Sequence, residues 1–132
     1  MKPCIVVLII VLVAVNSALA ATGIFAAVRD MLECHEQLRI KEEDLIFIDD
    51  LSQIQPVSSY RPGQRCSIYC QSEAFGFTKQ GRPMEEFWRN YAKIANRYDL
   101  DEVFRNCEYL AANTCEAPVL LGICAQRFPR NL

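Results

Sequence analysis

Cys66-Ser67-Ile68-Tyr69-Cys70 is the stretch of sequence on which the fold depends. Its two cysteines are four positions apart, and side chains with that spacing lie on the same face of an α-helix. Each sulfur can therefore reach a different neighbouring helix. Outward from this pair lie four further cysteines, Cys34, Cys107, Cys115 and Cys124. Six cysteines allow fifteen sets of three disulfides, and the residues alone do not choose among them.

The start of the chain has the features of a secretory signal peptide. An apolar run from Ile5 to Val15 follows one basic residue, and Ala18-Leu19-Ala20 supplies the small residues that precede a cleavage site. The run is too short for a hydrocarbon core of about 30 Å, so a membrane anchor is disfavoured. Cys4 lies in this segment, which leaves an even set of six cysteines. We therefore predict a signal peptide over residues 1–20 and one secreted, extracellular domain over residues 21–132.

The composition is that of one folded domain. The chain has 132 residues, of which 52% are hydrophobic and 23% charged, and this is too apolar for a disordered chain. Its net charge of −2 lacks the basic excess typical of nucleic-acid binders. After the leader, no apolar stretch is long enough to cross a membrane. We expect neither nucleic acid binding nor stable membrane insertion.

Apolar residues recur at helical spacing along most of the chain after the leader. Residues 52–63 are rich in proline and serine and are predicted to form a loop, and residues 79–82 a turn. No stretch shows the alternation of apolar and polar residues that is typical of a strand. The pattern predicts about six short helices and no sheet, with the helices over residues 24–38, 41–51, 64–75, 83–98, 100–113 and from 118 towards Pro129.

The cysteine spacing resembles that of the pheromone and general odorant-binding proteins of insects. Three residues separate Cys66 from Cys70 and eight separate Cys115 from Cys124, as in that family, and long gaps flank the first pair. The stretch that follows the first pair, as far as Gly81, is similar to the family's third helix and the turn after it. The gap of seven residues before the fifth cysteine lies at the short end of the family's range.

The resemblance implies an all-α fold of about six short helices around an apolar cavity, interlocked by three disulfides. The family's order of pairing is first to third, second to fifth and fourth to sixth cysteine. Carried onto this chain, the implied bridges are Cys34–Cys70, Cys66–Cys115 and Cys107–Cys124. Each disulfide is expected to contribute about 2–4 kcal/mol, largely by restricting the unfolded chain. That contribution offsets the packing that a cavity forfeits.

A pocket lined by aromatic and aliphatic side chains is the usual way for a small protein to hold an apolar ligand. The helical stripes and the position of the family's pocket together predict eight lining residues, although one stripe position taken alone is more often core. These residues are Phe75, Trp88, Tyr91, Leu100, Val103, Phe104, Leu121 and Phe128. Tyr91 or Tyr109 is expected to donate its hydroxyl to a ligand oxygen. The segment from Phe128 to Leu132 is expected to cap one mouth, since family members often close their pocket in this way.

The residue patterns of common secreted enzymes are missing. The single histidine, His35, lies on the apolar stripe of the first predicted helix, so a structural role is favoured over a metal ligand or proton switch. It lacks the adjacent cysteines and the glycine-rich calcium loop of a phospholipase A2, and no Gly-x-Ser-x-Gly motif is present. We predict no catalytic residues, no cofactor and no metal site.

The predicted function is that of a secreted carrier of small hydrophobic molecules such as odorants or pheromones, with olfaction implied by the resemblance. Its expected partners are a small apolar ligand and a membrane chemoreceptor, and its expected state is a monomer or weak homodimer. The main alternative is a secreted, disulfide-rich protein that acts through a protein partner, which requires an exposed apolar patch in place of a pocket. A saposin-like protein and a hydrolase are weaker alternatives, because the cysteine spacing and the catalytic residues do not match theirs.

Overall fold

The computed structural model describes residues 18–131 of the chain, with side chains from residue 23 onwards. The signal peptide predicted over residues 1–20 therefore falls outside the described residues, apart from its last three. The regular secondary structure of the described part is helical except for one short hairpin, which confirms the all-α class. Its six α-helices are α1 (Ala18–Gln37), α2 (Pro62–Ala74), α3 (Glu85–Asn90), α4 (Ala92–Ala95), α5 (Leu100–Cys107) and α6 (Ala117–Ala125), and the hairpin strands are β1 (Thr78–Lys79) and β2 (Arg82–Pro83).

Helix α2 lies where the paired cysteines predict a helix, and local sequence sets both of its ends. Pro62 occupies the first turn, where its missing N–H costs no hydrogen bond. The N–H of Arg61 donates to the side chain of Gln64 at 2.9 Å, which caps the start. At the other end Gly76 adopts a φ of 82°, a left-handed conformation that favours glycine and stops the helix.

Three disulfides join the helices to one another. Cys34–Cys70 links α1 to α2, Cys66–Cys115 links α2 to the loop before α6, and Cys107–Cys124 links α5 to α6. These are the three pairs that the family resemblance implies. Helix α2 is bonded to two different parts of the chain through one face, as the spacing of its cysteines predicts.

The prediction of a helix over residues 41–51 is wrong. Only two single 3₁₀ turns form in this region, at Glu42–Asp44 and Leu51–Gln53. The residues between these turns have no regular secondary structure and run along α2. We call residues 45–54 the strap.

Two polar side chains of α2 explain why the strap is not helical. The N–H of Ile46 donates to Ser67 Oγ at 3.0 Å, and the same hydroxyl donates back to the Ile46 carbonyl at 3.2 Å. One turn later, the N–H of Ile48 donates to Gln71 Oε1 at 3.0 Å and Gln71 Nε2 donates to the Ile48 carbonyl at 2.7 Å. These side chains take the place of a neighbouring strand, so the backbone groups need no helical partners.

The far end of the strap is fastened to α6. Gln126 Nε2 donates to the carbonyls of Leu51 at 2.8 Å and Ile54 at 3.1 Å. Ile54 packs directly on the α6 backbone at Gly122, where any Cβ would collide with the Ile54 side chain. The strap is thus held at both ends by side-chain hydrogen bonds and contact with a helix.

A hairpin follows α2 at the predicted turn, although no sheet is predicted there. The carboxylate of Glu73 accepts hydrogen bonds from the Thr78 hydroxyl at 2.5 Å and from the N–H groups of Gln80 at 2.7 Å and Gly81 at 3.1 Å. One side chain therefore fixes the turn. Pro83, predicted to begin a helix, lies instead in β2.

The helix predicted over residues 83–98 is divided in two. The backbone is extended at Tyr91, with φ −96° and ψ 105°, and this separates α3 from α4. Helix α3 is fixed to the chain before it, because Trp88 Nε1 donates to the Phe77 carbonyl at 2.9 Å. The break leaves Tyr91 at the junction between the two helices.

The helix predicted over residues 100–113 also ends early, at Cys107. The residues after it turn back to the hairpin, where the N–H of Asn113 donates to the Gln80 carbonyl at 3.0 Å. Gly81 permits this close approach, since a Cβ there would lie 2.8 Å from that of Ala117. Contact with the hairpin therefore replaces the last turns of the predicted helix.

Candidate functional site

A partly open pocket of about 260 Å³ lies between the strap and helices α2, α3 and α4. The strap contributes Ile48, Leu51 and Ile54 to it, and α2 with the residue that follows contributes Ile68, Ser72 and Phe75. The hydrogen bonds between α2 and the strap set the distance between these two walls of the pocket. The side chains that face each other across the pocket are mainly aliphatic or aromatic.

An aromatic cluster closes the side of the pocket away from the strap. Phe77 stacks on Trp88 with ring centroids 4.4 Å apart and meets Phe87 edge to face at 6.1 Å. Phe87 meets Tyr91 edge to face at 5.6 Å. Trp88 is fully buried behind this wall, while Phe77, Phe87 and Tyr91 line the pocket. Such edge and stacked contacts stabilise the wall by about 0.5–1.5 kcal/mol per pair.

A few polar side chains interrupt the apolar lining. The amide of Gln71 lines the pocket, but both of its ends are engaged by Ile48. Ser72 and Tyr91, whose side chains carry hydroxyl groups, are among the lining residues. A hydroxyl both donates and accepts, so either group is able to bond to a ligand oxygen.

Charged residues lie at the mouth. Asp50 accepts a hydrogen bond from Arg97 Nη1 at 2.8 Å, and this ion pair joins the strap to the chain after α4. The pKa of the Asp50 carboxyl is lowered, first by the hydrogen bond from the Ser52 N–H and then by that from Arg97. Asp49 and Lys93 line the same rim and carry opposite charges. The rim is therefore polar while the lining behind it is apolar.

The structure brings two of the eight predicted pocket residues into this pocket, Phe75 and Tyr91. The other six contribute to the packed core and do not line it. Four of these are buried and two are partly buried against the core; the residues are Trp88, Leu100, Val103, Leu121, Phe104 and Phe128. Tyr109, the other predicted hydroxyl donor, is 66% exposed and stacks under Arg82.

The C-terminal segment runs along the chain that follows α4. The N–H of Asp99 donates to the Phe128 carbonyl at 2.8 Å, and the N–H of Arg130 donates to the Arg97 carbonyl at 2.8 Å. None of the described residues from 126 to 131 is among those that line the pocket. A lid formed by this segment stays a prediction, since its described part is engaged elsewhere and Leu132 lies outside the described residues.

His35 is buried in α1, in keeping with a structural role. It is 8% exposed, and its Nε2 atom has no hydrogen-bond partner within the described part of the protein. Burial lowers the pKa of the imidazole, because the charged form loses solvation. The residue lies next to Cys34, which bonds α1 to α2.

The strap is the part of the site that sequence reasoning missed. Ile46 and Ile48 are more buried than Phe47 between them, as in an extended segment, but all three residues are apolar, so the sequence shows no alternation there. Ser67 and Gln71, which hold the strap, look like ordinary polar residues of a helix. Their role appears only when α2 and the strap are placed side by side.

Comparison with known proteins adds no relative: no protein family, no curated protein and no solved structure matches this chain. Within the described residues, no three histidine, cysteine or acidic side chains are grouped as metal ligands. In the same part of the chain, no helix is long and apolar enough to cross a membrane.

Proposed function

We propose that the protein is a secreted carrier that binds one small apolar molecule in the pocket between the strap and α2. The observation that carries this proposal is the lining itself, in which apolar side chains from four elements face an open space behind a polar mouth. Packed cores leave few voids larger than a water molecule, so an apolar recess of this size is a binding-site candidate.

The size of the pocket suits a small ligand. Sites for drug-sized molecules usually have volumes above about 300 Å³, and a cavity of about 150 Å³ is enough for benzene. At about 260 Å³ the pocket lies between these two cases. A ligand that buries about 250–300 Å² gains about 6–7 kcal/mol from the loss of water contact. After the costs of association, binding in the micromolar range is expected.

The hydroxyls of Ser72 and Tyr91 add a preference for ligands with one oxygen, such as an alcohol, aldehyde or ester. A hydrogen bond between neutral groups contributes about 0.5–1.5 kcal/mol, less than the apolar part. The ligand is therefore held mainly by shape and apolar contact and oriented by one polar group.

The resemblance to insect odorant-binding proteins supports the same proposal from the sequence. The three disulfide pairs are those of that family, and they suit an oxidising, extracellular environment. With the predicted leader, they support secretion and transport of an odorant, pheromone or similar molecule. A membrane chemoreceptor is the partner to which such a carrier delivers its ligand.

The test is titration of oxidised residues 21–132 with the fluorescent apolar probe N-phenyl-1-naphthylamine, followed by displacement with alcohols, esters, aldehydes and indoles. We expect saturable binding of one probe per protein. Ser72→Leu fills the pocket and is expected to weaken probe binding at least tenfold, since the ligand and the new side chain compete for one space. Ser58→Leu, an exposed serine outside the pocket, is the matched control and should bind as the natural chain does.

A second candidate function is action through a protein partner, which exposed aromatic side chains favour. Phe47 is 61% exposed and Tyr109 is 66% exposed, and aromatic residues are enriched in protein interfaces. No saturable probe binding by a folded sample with all three disulfides would contradict the carrier proposal and favour this alternative.

A further inference from the structure

The hairpin carries two exposed cations side by side. Strands β1 and β2 pair with Lys79 opposite Arg82, and residues that are directly opposite in an antiparallel pair place their side chains on the same face. Like charges in this position destabilise a hairpin. Neither residue forms an ion pair within the described part of the chain. The carboxylate of Glu73 reaches the hairpin but is engaged by the turn and by Thr78.

The loop over residues 108–114 lies against these cations, and we call it the outer loop. The guanidinium carbon of Arg82 lies 4.9 Å from the centroid of the Tyr109 ring. The N–H of Asn113 donates to the Gln80 carbonyl at 3.0 Å and joins the loop to the hairpin. Tyr109 is 66% exposed and Leu110 is 38% exposed. The ring covers one flat face of the guanidinium, which leaves the N–H groups at its edge available as donors.

Two disulfides hold the ends of the outer loop. Cys107 before it bonds to Cys124, and Cys115 after it bonds to Cys66. Within the loop Ala111 adopts a φ of 49°, a left-handed conformation that is unfavourable for a residue with a Cβ. Backbone strain of this kind is concentrated at functional sites. A loop that is fixed in this way loses little conformational freedom when a partner binds to it.

The charge of this surface is opposite to that of the whole chain. Residues 78–83 and 108–114 together carry two cations and one acid, Glu108, which is half-buried. The complete chain has a net charge of −2. Arginine and tyrosine are enriched among the residues that contribute most to binding at protein interfaces. A carboxylate suits this surface best, because a guanidinium donates to it through two parallel N–H groups.

We propose that the hairpin and the outer loop form a docking surface for an acidic segment of a partner protein. One carboxylate of the partner accepts hydrogen bonds from Arg82, a second lies near Lys79, and an apolar side chain packs on Leu110. An anionic membrane fits less well, because two cations attract it weakly and the net charge of the chain opposes its approach. None of these three residues lines the pocket, so the docking surface goes beyond the carrier function and does not depend on it.

The experiment titrates isotope-labelled, oxidised residues 21–132 with the peptide acetyl-Asp-Glu-Leu-Asp-Glu-amide and follows the amide chemical shifts by NMR. We expect saturable shifts at Lys79, Arg82 and Tyr109, and none with the matched peptide acetyl-Lys-Lys-Leu-Lys-Lys-amide. Arg82→Gln should weaken binding about tenfold, since hydrogen bonds between charged groups are lost. Arg127→Gln is the matched control, because Arg127 is also exposed and lies outside the hairpin and the outer loop.

Two further substitutions separate recognition from structure. Tyr109→Ser removes the ring beside Arg82 and should weaken binding about threefold, whereas Tyr109→Phe keeps the ring and should bind as the natural chain does. Lys79→Glu places opposite charges across the hairpin, so the urea midpoint should rise while binding of the acidic peptide is lost. A purely structural hairpin would gain the same stability with no change in peptide binding.

The absence of saturable shifts with the acidic peptide, or equal binding of the two peptides, would overturn the docking surface. Binding that survives both Arg82→Gln and Lys79→Glu would overturn it as well. Binding to vesicles of phosphatidylcholine and phosphatidylserine by a chain that ignores the peptide would identify a membrane instead. Affinity for N-phenyl-1-naphthylamine should be the same in every variant, which shows that the fold is intact. Failure of the carrier function looks different, since then the probe does not bind while the acidic peptide still does.

Discussion

Helix α2 is fastened on one side by covalent bonds and on the other by hydrogen bonds. Cys66 and Cys70 bond it to the loop before α6 and to α1, whereas Ser67 and Gln71 hold the strap. The covalent side restricts the unfolded chain and persists through any local motion. The hydrogen-bonded side opens at a cost of a few bonds, so local opening is concentrated there. The pocket lies on this second side, where the strap forms one of its walls.

The largest expected effect comes from breaking the covalent side. Replacement of Cys66 and Cys115 together by alanine should lower the free energy of unfolding by about 2–5 kcal/mol, because the loop that this disulfide closes is long. Urea denaturation of the oxidised variant and of the natural chain measures the difference. The double replacement of Cys107 and Cys124 is the comparison, since the sequence separation there is 17 against 49.

In the loop-closure account the longer loop contributes about 1 kcal/mol more than the shorter one. Equal urea midpoints for the natural chain and the Cys66/Cys115 variant would contradict a stabilising role of this disulfide. A larger loss for the Cys107 and Cys124 pair would show that local packing around those buried sulfurs outweighs loop length.

The same contrast explains what could be predicted from the sequence. Cysteine spacing and helical periodicity are local features, and they predict α2, its two bonds and the all-α class. The strap depends on a contact between Gln71 and a segment more than twenty positions earlier, at Ile48. No local pattern contains that contact. The regular spacing of Leu45, Ile48 and Leu51 fits a helix equally well, and tertiary hydrogen bonds decide against it.

The candidate site was predicted less well for a related reason. Stripes of apolar residues identify what is buried but not whether it faces a core or an open space. Trp88 and Val103 are fully buried core residues, while Tyr91 owes its place in the pocket to the break between α3 and α4. No local pattern in the sequence marks that break. Periodicity therefore identifies buried faces, but most of the predicted residues lie on α5, α6 and the C-terminal segment, which do not line the pocket.

The next effect in size comes from loosening the hydrogen-bonded side. Gln71→Ala removes both bonds to Ile48 and leaves a half-buried N–H and carbonyl without their partners. We expect the free energy of unfolding to fall by about 1–3 kcal/mol. Amide hydrogen exchange should accelerate at Ile48, whose N–H donates to Gln71, while Val103 in the core stays protected. Affinity for the apolar probe should fall as well, because the strap forms one wall of the pocket.

Gln53→Ala is the matched control for this change. Gln53 is an exposed glutamine of the same strap, and its side chain makes none of the bonds to α2. It should leave stability, exchange and probe affinity unchanged. Exchange at Ile48 that is as slow in Gln71→Ala as in the natural chain would contradict the dependence of the strap on Gln71.

The smallest expected effect is the pH dependence of the free energy of unfolding through His35 on α1. His35 lies beside Cys34 on α1, and burial lowers the pKa of its imidazole below its ordinary value of 6.5. The unfolded chain therefore binds the proton more readily than the folded protein does. Burial of the neutral imidazole costs no stability above pH 6.5. As the pH falls from there towards the folded-state pKa, the unfolded chain takes up a proton first, and the folded protein progressively loses stability relative to it. Contact between α1 and α2 should weaken in mild acid, with the disulfide still holding the two helices together.

His35→Leu removes the titrating group and keeps an apolar side chain in the same place, so the variant should lose less stability than the natural chain between about pH 7 and pH 5. Urea denaturation at both pH values gives the difference, and Glu36→Gln, an exposed neighbour, should behave as the natural chain does. The carboxyls of Asp50 and Asp101 have lowered pKa values and lose their charge only in stronger acid, so they do not blur the comparison. Equal losses of unfolding free energy in the natural chain and in His35→Leu would contradict this prediction. They would show that the protonated imidazole finds a hydrogen-bond acceptor, so that acid does not weaken the packing of α1.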